Sequence, residues 1–503
     1  MRRLALPILL LLVLAAPAQA LPGARISSTD YLPAADYPGL QHQHYEFGPV
    51  KINPGQNAID IDVNQLKPAV PGYITRFKPD LVYADDHSTP RVDVIHLHHG
   101  VWLIDGYPTF AAGEEKTVAL MPQGYGYHTD PSSAWLMNHM IHNLTPDPTS
   151  VYITYDIDFV PDSEPAAADI TPVKPLWMDV AGISPYPVFD AQRGRGHGGK
   201  FTFPADARGA QKRKVGFAQT YTAQQDMTLV STAGHLHPGG LYNDLAASRD
   251  GQTRQLFRSE AKYFEPAGAV SWDVAMTGTQ PDWRIAVKAG DQLSTTVTYD
   301  TRRASWYESM GIMVAFYADG IRPEAVDPFA ADVPTRGLLT HGHLPENDQH
   351  GGQPLGLPNP LAALSGARTR KVGIRDFVYQ RGDLALTGAA GRPPVVRRGR
   401  RLKFTNFDAV KGQDAHQAVY HTITACRAPC NRTAGIAYPL ANAAPRRMFD
   451  SGELGYGPSL GSLPLTPAAQ RNTWRTPRDL PTGTYAYFCR VHPFMRGAFR
   501  VKR

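Results

Sequence analysis

The stretch Tyr485-Ala-Tyr-Phe-Cys489-Arg-Val-His492-Pro-Phe-Met495-Arg-Gly-Ala-Phe-Arg-Val501 spaces a cysteine, a histidine and a methionine three residues apart between two segments that read as strands. A thiolate, imidazoles and a weak axial thioether are the soft ligand set of an electron-transferring blue copper centre. A second imidazole has to come from an earlier strand. Tyr420-His421-Thr-Ile-Thr424 supplies it in an alternating pattern, with His416 as the alternative. The chain has three cysteines. Cys426 and Cys430, in CRAPC, can close a small disulfide loop, which leaves Cys489 as the odd thiol. Outside the cytoplasm such a thiol is a liability unless a metal holds it. An isolated cysteine would read as a buried core thiol, but C-x2-H-x2-M after an aromatic strand does not.

This segment resembles the cupredoxins, in particular those with a short ligand loop. The resemblance covers 371–503, beginning at Val372-Gly-Ile-Arg-Asp-Phe377 and including Arg398-Gly-Arg-Arg-Leu-Lys-Phe404. It implies a Greek-key β-sandwich that carries one electron at a time on one type 1 copper, held by His421, Cys489, His492 and Met495. Multicopper oxidases contain related domains, but wire the electron-accepting copper through His-Cys-His. Cys489 lies between Phe488 and Arg490, which argues against that class.

The rest of the chain sets the context. Met1-Arg2-Arg3, an apolar run from Leu4 to Ala16 and Ala18-Gln19-Ala20 have the order of a secretory signal peptide, 1–20. The mature protein is therefore expected to be secreted or periplasmic. No later stretch reaches about 18 consecutive apolar residues, so no stable membrane span is expected. The net charge of +6 is scattered, without a basic helix or an aromatic nucleic-acid signature, so no nucleic-acid partner is expected. A chain of 503 residues exceeds one ordinary core. Helical periodicity is scarce, and Val151–Phe159, Gln292–Tyr299 and Ile312–Tyr317 alternate like strands. The fold class is all-β. Ala289-Gly290-Asp291, between Arg284–Lys288 and Gln292, reads as a hairpin turn. Two Gly/Pro-rich stretches divide the chain into a β-sandwich at 21–165, a connecting segment at 166–210, a second β-sandwich at 211–320, a linker at 321–370 and the cupredoxin-like domain.

Two histidine clusters precede the linker. His235-Leu-His237 follows the strand Met227–Ser231, and a period of two points both imidazoles to one side. Met310 precedes another strand some seventy residues later, and two imidazoles with a thioether favour copper. In Val94-Ile-His96-Leu-His98-His99-Gly100, adjacent histidines share a metal only where the strand bends, which Gly100 allows. Trp135-Leu-Met-Asn-His139-Met-Ile-His142 offers a third ligand, His142 rather than His139. His96 reads as a supporting residue and Met313 as core. His341, His343 and His350 read as polar linker residues.

His98-His99, Met121-Pro-Gln-Gly-Tyr-Gly-Tyr127, His142, His235-x-His237 and Met310 follow the order of the copper type II, ascorbate-dependent monooxygenases, which include peptidylglycine α-hydroxylating and dopamine β-monooxygenase. The resemblance covers about 41–320. It implies two jelly-roll-like β-sandwiches facing each other across a solvent-filled cleft. It makes His98, His99 and His142 ligands of an electron-storing copper. His235, His237 and Met310 become the catalytic copper site, where O2 is activated. Two type II coppers, O2, a small organic substrate and an external donor (an ascorbate-like reductant or a redox protein) are the cofactors and partners it implies. Ala233 stands where peptide-amidating members carry an arginine that binds the substrate carboxylate, and Ile312 where they carry an asparagine. The family's disulfides are missing as well. These departures argue against peptide amidation and for a less polar or differently shaped substrate. The sequence thus points to a copper monooxygenase with a fused electron-transfer domain. The alternative is a copper-binding electron carrier without catalysis.

Overall fold

The computed structural model describes residues 31–503 except 54–58, 64, 93, 146, 183–187, 209–218, 265–268, 270–272, 303–305, 345–366, 383–392, 412–418, 427–448, 457–458, 461–462, 465–470, 491 and 493–494. The expected signal peptide, Trp272, His350, His416 and Cys430 lie outside the described residues. The described residues are almost entirely strand and loop, with one 3-10 turn at Pro165–Asp169. None of their helices is long and apolar enough to cross a membrane.

The first sandwich faces two sheets together. One contains Gln41–Ile52, Thr149–Pro161, Gly72–Tyr83 and Tyr125–Thr129 in that spatial order, with the edge piece Thr171–Pro172. The other orders Asp60–Val63, Trp135–Asn143, Ile95–Ile104 and Tyr107–Gly113. Alternation in Thr149–Pro161 sends Val151, Ile153, Tyr155, Ile157 and Phe159 into the core. There Phe77 stacks on Phe110, with ring centroids 4.4 Å apart, and meets Trp102 edge-on at 4.9 Å. Asp105-Gly106, both at positive φ, turns Ile95–Ile104 back into Tyr107–Gly113.

The second unit is a sheet curled on itself, ordered Lys174–Asp179, Gly311–Asp319, Met227–Leu236, Val274–Gly278, Gln252–Tyr263, Gly240–Arg249, Gln292–Asp300 and Lys200–Phe203. Its first and last strands come from 166–210, so much of the stretch read as a connection pairs into the sheet. Lys174–Asp179 alternates and docks on Gly311–Asp319 despite its proline. Gly290 does turn the chain at positive φ, but not into a hairpin. Ile285–Val287 pairs with Met227–Leu236, whereas Gln292–Asp300 pairs with Gly240–Arg249. Asp291 fixes this corner by accepting from the Lys288 N–H at 2.9 Å and pairing with Arg249 at 2.7 Å. Asp327, from the linker stretch, meets the same guanidinium at 2.9 Å.

The two sandwiches share a core, which differs from the solvent-filled cleft implied by the resemblance. Phe110 meets Phe316 at 5.9 Å, Ser231 donates to the Leu120 carbonyl at 3.0 Å, and Tyr125 donates to Glu324 at 2.7 Å. Apolar side chains of both sandwiches, Phe110 with Val230, Phe316 and Ala318, pack into this seam. The third unit packs a sheet of Ala367–Arg368, Pro394–Arg397, Arg496–Lys502, Gly483–Phe488 and Thr424–Cys426 on one of Val378–Tyr379, Lys371–Arg375, Lys403–Asn406 and Thr473–Arg475.

Truncating Phe77 to alanine should cost about 3–5 kcal/mol, because it empties the centre of the aromatic stack; thermal unfolding checks this. The Asp327 carboxyl, opposed by its partial burial but paired with Arg249 and Lys288, is lowered to about 2. A depressed folded-state value adds stability above the ordinary carboxylate range and loses it as pH falls through about 2. Asp327→Asn should therefore flatten the acid limb of the stability profile, measured by thermal unfolding between about pH 5 and pH 2.

Candidate metal centres

Two sites arise from the strands. In the first sandwich, Ile95–Ile104 pairs with Trp135–Asn143 in a register that places His96 opposite His142. The register slips between Leu97 and His99, and such a bulge re-aims side chains near a site. It lets His98 and His99 both be buried, at 0% and 4% exposure. From the second unit, Met227–Leu236 brings His235 against Gly113, where a Cβ would stand 2.6 Å from the imidazole. Only glycine permits that approach. His237 follows just beyond the strand.

These elements bring the histidines into one buried cluster. The His98 ring centroid is 4.4 Å from that of His142 and 4.2 Å from that of His237. Two glutamates enter from the sides. The His98 and His142 Nε2 atoms lie 3.6 and 3.9 Å from Glu308 Oε2, and His237 Nε2 lies 3.7 Å from Glu114 Oε2. His98, His142 and Glu308 form one group able to hold a metal, and His98, Glu114 and His237 form another. His98 is common to both groups, and His99 and His235, which the resemblance assigns to two separate three-ligand sets, are in neither.

Hydrogen bonds fix which ring nitrogens offer lone pairs. His96 Nδ1 donates to the Val92 carbonyl at 2.6 Å, so its Nε2 accepts from His142 Nδ1 at 3.1 Å. The lone pair of His142 then sits on Nε2, towards Glu308. His235 Nδ1 donates to Glu115 at 2.9 Å, and His99 Nε2 donates to Asn138 at 2.9 Å. His235 Nε2 and His99 Nδ1 are left buried with no hydrogen-bond partner. Such tethering of the remote nitrogen is how proteins orient metal-binding imidazoles. His139 instead pairs with Asp62 at 2.8 Å, away from the cluster.

Burial holds His98, His142 and His237 well below the ordinary imidazole value, and neighbouring imidazoles push the same way. Burial likewise brings His96 and His99 down to about 4. These rings are neutral at physiological pH and can donate lone pairs. Burial raises the Glu114 carboxyl well above the usual range, and Glu115 and Glu308 add to that effect. For Glu115, His235 outweighs burial and lowers it.

Met310 is buried beside Met140, Val188 and Ile312. The Tyr299 hydroxyl ties it to the cluster, accepting from the His237 N–H at 3.0 Å and donating to the Met310 carbonyl at 2.8 Å. Of the linker histidines, His341 bonds the Glu115 carbonyl at 2.6 Å and His343 pairs with Asp273. Glu114, Glu115 and Glu308 were not anticipated from sequence. Two signals could have found them: adjacent acids closing an apolar strand, and an acid two residues before Met310. Glu308 also adopts φ 53°, a costly conformation for a non-glycine residue that is often found at functional sites.

The second site lies in the third unit. Cys489 Sγ is 3.8 Å from His421 Nδ1 and 3.5 Å from His492 Nδ1, and the two nitrogens are 3.1 Å apart. His421 Nε2 donates to Asp408 at 2.9 Å, which turns Nδ1 inward. Phe377 packs edge-on against both imidazoles. The Thr422 N–H donates to Cys489 Sγ at 3.3 Å. Although burial opposes it, His492 and His421 draw the Cys489 thiol well below its ordinary value. Met495, fully buried in the same core, closes the loop through the Cys489 N–H to Met495 carbonyl bond at 3.0 Å. Among the described residues Cys489 is a free cysteine and Cys426 is disulfide-bonded; its expected partner, Cys430, lies outside the described residues.

No known family and no curated protein matches the chain. Among solved structures it has a distant likeness to a Cu-containing nitrite reductase (NirK) from Thermus scotoductus SA-01, at 12% identity over 56% of this chain and 59% of that one, with a TM-score of 0.17. The A223 turret protein of Sulfolobus turreted icosahedral virus gives 10% identity, 56% and 99% coverage and a TM-score of 0.13. The VP2 subviral particle of infectious bursal disease virus gives 11%, 59% and 77%, and 0.17. The chain spans about 59% of the length of the nitrite reductase. At these TM-scores none of the likenesses bears on function, and the functional reading rests on the two sites themselves.

Proposed function

We propose that this protein is an extracytoplasmic copper oxidoreductase that uses O2 to hydroxylate a small, weakly polar organic substrate, with electrons entering through the third domain. The observation that carries this reading is the presence, in one chain, of a thiolate–imidazole site and a separate buried imidazole-rich cluster. Their donors suit copper. Cys489 is poised as a thiolate by its two imidazoles, and His235 and His99 each hold a lone-pair nitrogen with no hydrogen-bond partner. Copper supplies electrons singly by cycling between two oxidation states and, when reduced, binds O2.

The residues of the chain have distinct tasks in this scheme. His421, Cys489, His492 and Met495 would hold the electron-entry copper. Asp408 and Phe377 fix the rings of that site in place. His492 adds a small Coulombic contribution to the lowering of His142, which supports an electron path from the thiolate site to the cluster. In the cluster, His98, His99, His142, His235 and His237 would be the imidazole ligands, with Met310 as the thioether. Burial between two sandwiches keeps bulk water from reactive oxygen species.

A small recess lies along the seam, lined by Phe110, Ala111, Val118, Ala233, Val314 and His235 among others. Ala233 contributes a methyl group where an arginine would offer charge. An apolar or weakly polar substrate is favoured there.

Copper-loaded protein should show an intense thiolate-to-copper absorption together with type II EPR signals, and should take up O2 in the presence of reductant and yield a hydroxylated product. Cys489→Ser should abolish the visible band while type II signals persist. Met310→Ala should reduce product formation to background with the band intact; retained oxidation would overturn the assignment. His96→Ala, which frees the His142 ring, should weaken copper binding in the cluster by about 10–100-fold, as read by titration with a chelator. A blue band without O2 uptake would make the protein an electron carrier instead.

A further inference from the structure

Resting on the reading of the buried cluster as a copper site, we propose that Glu114 and Glu308 are themselves metal ligands, and that with His98 between them they join the cluster into one carboxylate-containing two-metal site. The donor atoms of His98, His142 and Glu308 all lie within 4.8 Å of one another, and so do those of His98, Glu114 and His237. One histidine is common to both groups, so to serve two ions His98 must release its ring N–H proton to solvent on metal binding and offer one nitrogen to each ion as imidazolate. A pair of ions held this way would be neighbours, not partners across a cleft.

Three further observations point the same way. Neither oxygen of Glu114 and neither nitrogen of His237 has a hydrogen-bond partner, although both side chains are buried to 1% exposure or less; among the described residues Glu114 meets only the longer contacts of His96 Nε2 at 3.5 Å and His237 Nε2 at 3.7 Å. Leaving buried polar atoms unsatisfied costs about 1–3 kcal/mol each, and a bound cation removes that cost. At the other end, the His96 tether directs the His142 Nε2 lone pair at Glu308 Oε2, 3.9 Å away. A metal ion placed between these two atoms would be held by both. Finally, the positive φ of Glu308 is sustained at the place where its carboxylate meets both His98 and His142, as expected of backbone strain retained for a site.

Oxygen donors alter what the cluster holds. An all-imidazole or imidazole–thioether set favours softer, reduced copper, whereas carboxylates stabilise the oxidised ion and can bridge two metals. Two oxidised copper ions sharing a bridge couple magnetically, so part of their spin disappears from EPR.

The test uses the full chain loaded with copper, comparing wild type with Glu114→Gln and Glu308→Gln, which keep side-chain volume and remove the charged donor. Copper per chain is measured by elemental analysis and EPR-visible spin by integration. The thiolate-to-copper band in the same molecule reports that each variant has folded and loaded. Wild type is expected to hold more copper than its spin count accounts for, and each glutamine variant to lose about one copper per chain with the visible band unchanged. Variants that bind as much copper as wild type with unchanged type II hyperfine structure would overturn the proposal. X-ray absorption of the wild type needs no variant: a copper–copper scattering path is expected, and its absence would sink the pairing. If both copper measurements turn out as expected but O2 uptake is missing, the ligand assignment stands and the oxygenase reading fails.

Discussion

Six histidines and three glutamates are packed into the seam between two β-sandwiches, each no more than 5% exposed. Carboxylates and lone-pair nitrogens taken out of water are costly unless something positive balances them. Most of the local structure can be traced to that constraint. Asn138, Glu115, Val92 and Tyr299 each satisfy one polar atom of the cluster or its backbone and leave the others directed inward. The surrounding phenylalanine, tryptophan and tyrosine rings fill the sandwich core.

Strand geometry is what makes such a concentration possible. A regular strand sends neighbouring side chains to opposite faces, so adjacent His98 and His99 need the bulge that lies between Leu97 and His99. Gly113 removes the side chain that would block His235 from the next unit. The sandwiches must then stay in contact, and the Phe110–Phe316 packing, the Tyr125–Glu324 bond and the Arg284 guanidinium over the Tyr125 ring hold them together.

The thiolate site follows a more local logic. Its cysteine, histidine and methionine lie on one short loop between Gly483–Phe488 and Arg496–Lys502, whose antiparallel pairing fixes the loop ends. A single long-range element, the segment around His421, completes it. Asp408 and Phe377 orient the imidazoles from outside, so the donor atoms converge before any metal arrives.

The sequence by itself determined the all-β class from alternation. It also singled out the loop that carries Cys489, His492 and Met495, because these residues follow one another at intervals of three and need little tertiary information to be brought together. His421, His98, His142, His235 and His237 were legible as histidines in strand-like contexts. Tertiary structure alone decided how they combine. The pairing of Ile285–Val287 with Met227–Leu236 instead of with its chain neighbour, the incorporation of Lys174–Asp179 into the second sheet and the closed seam all depend on contacts between residues far apart in the chain. Glu114 and Glu308 gained their place by the same route. An acid at a strand end is ordinarily solvated, and only the packing of His237 against Glu114, and of His98 and His142 against Glu308, turns these two carboxylates inward.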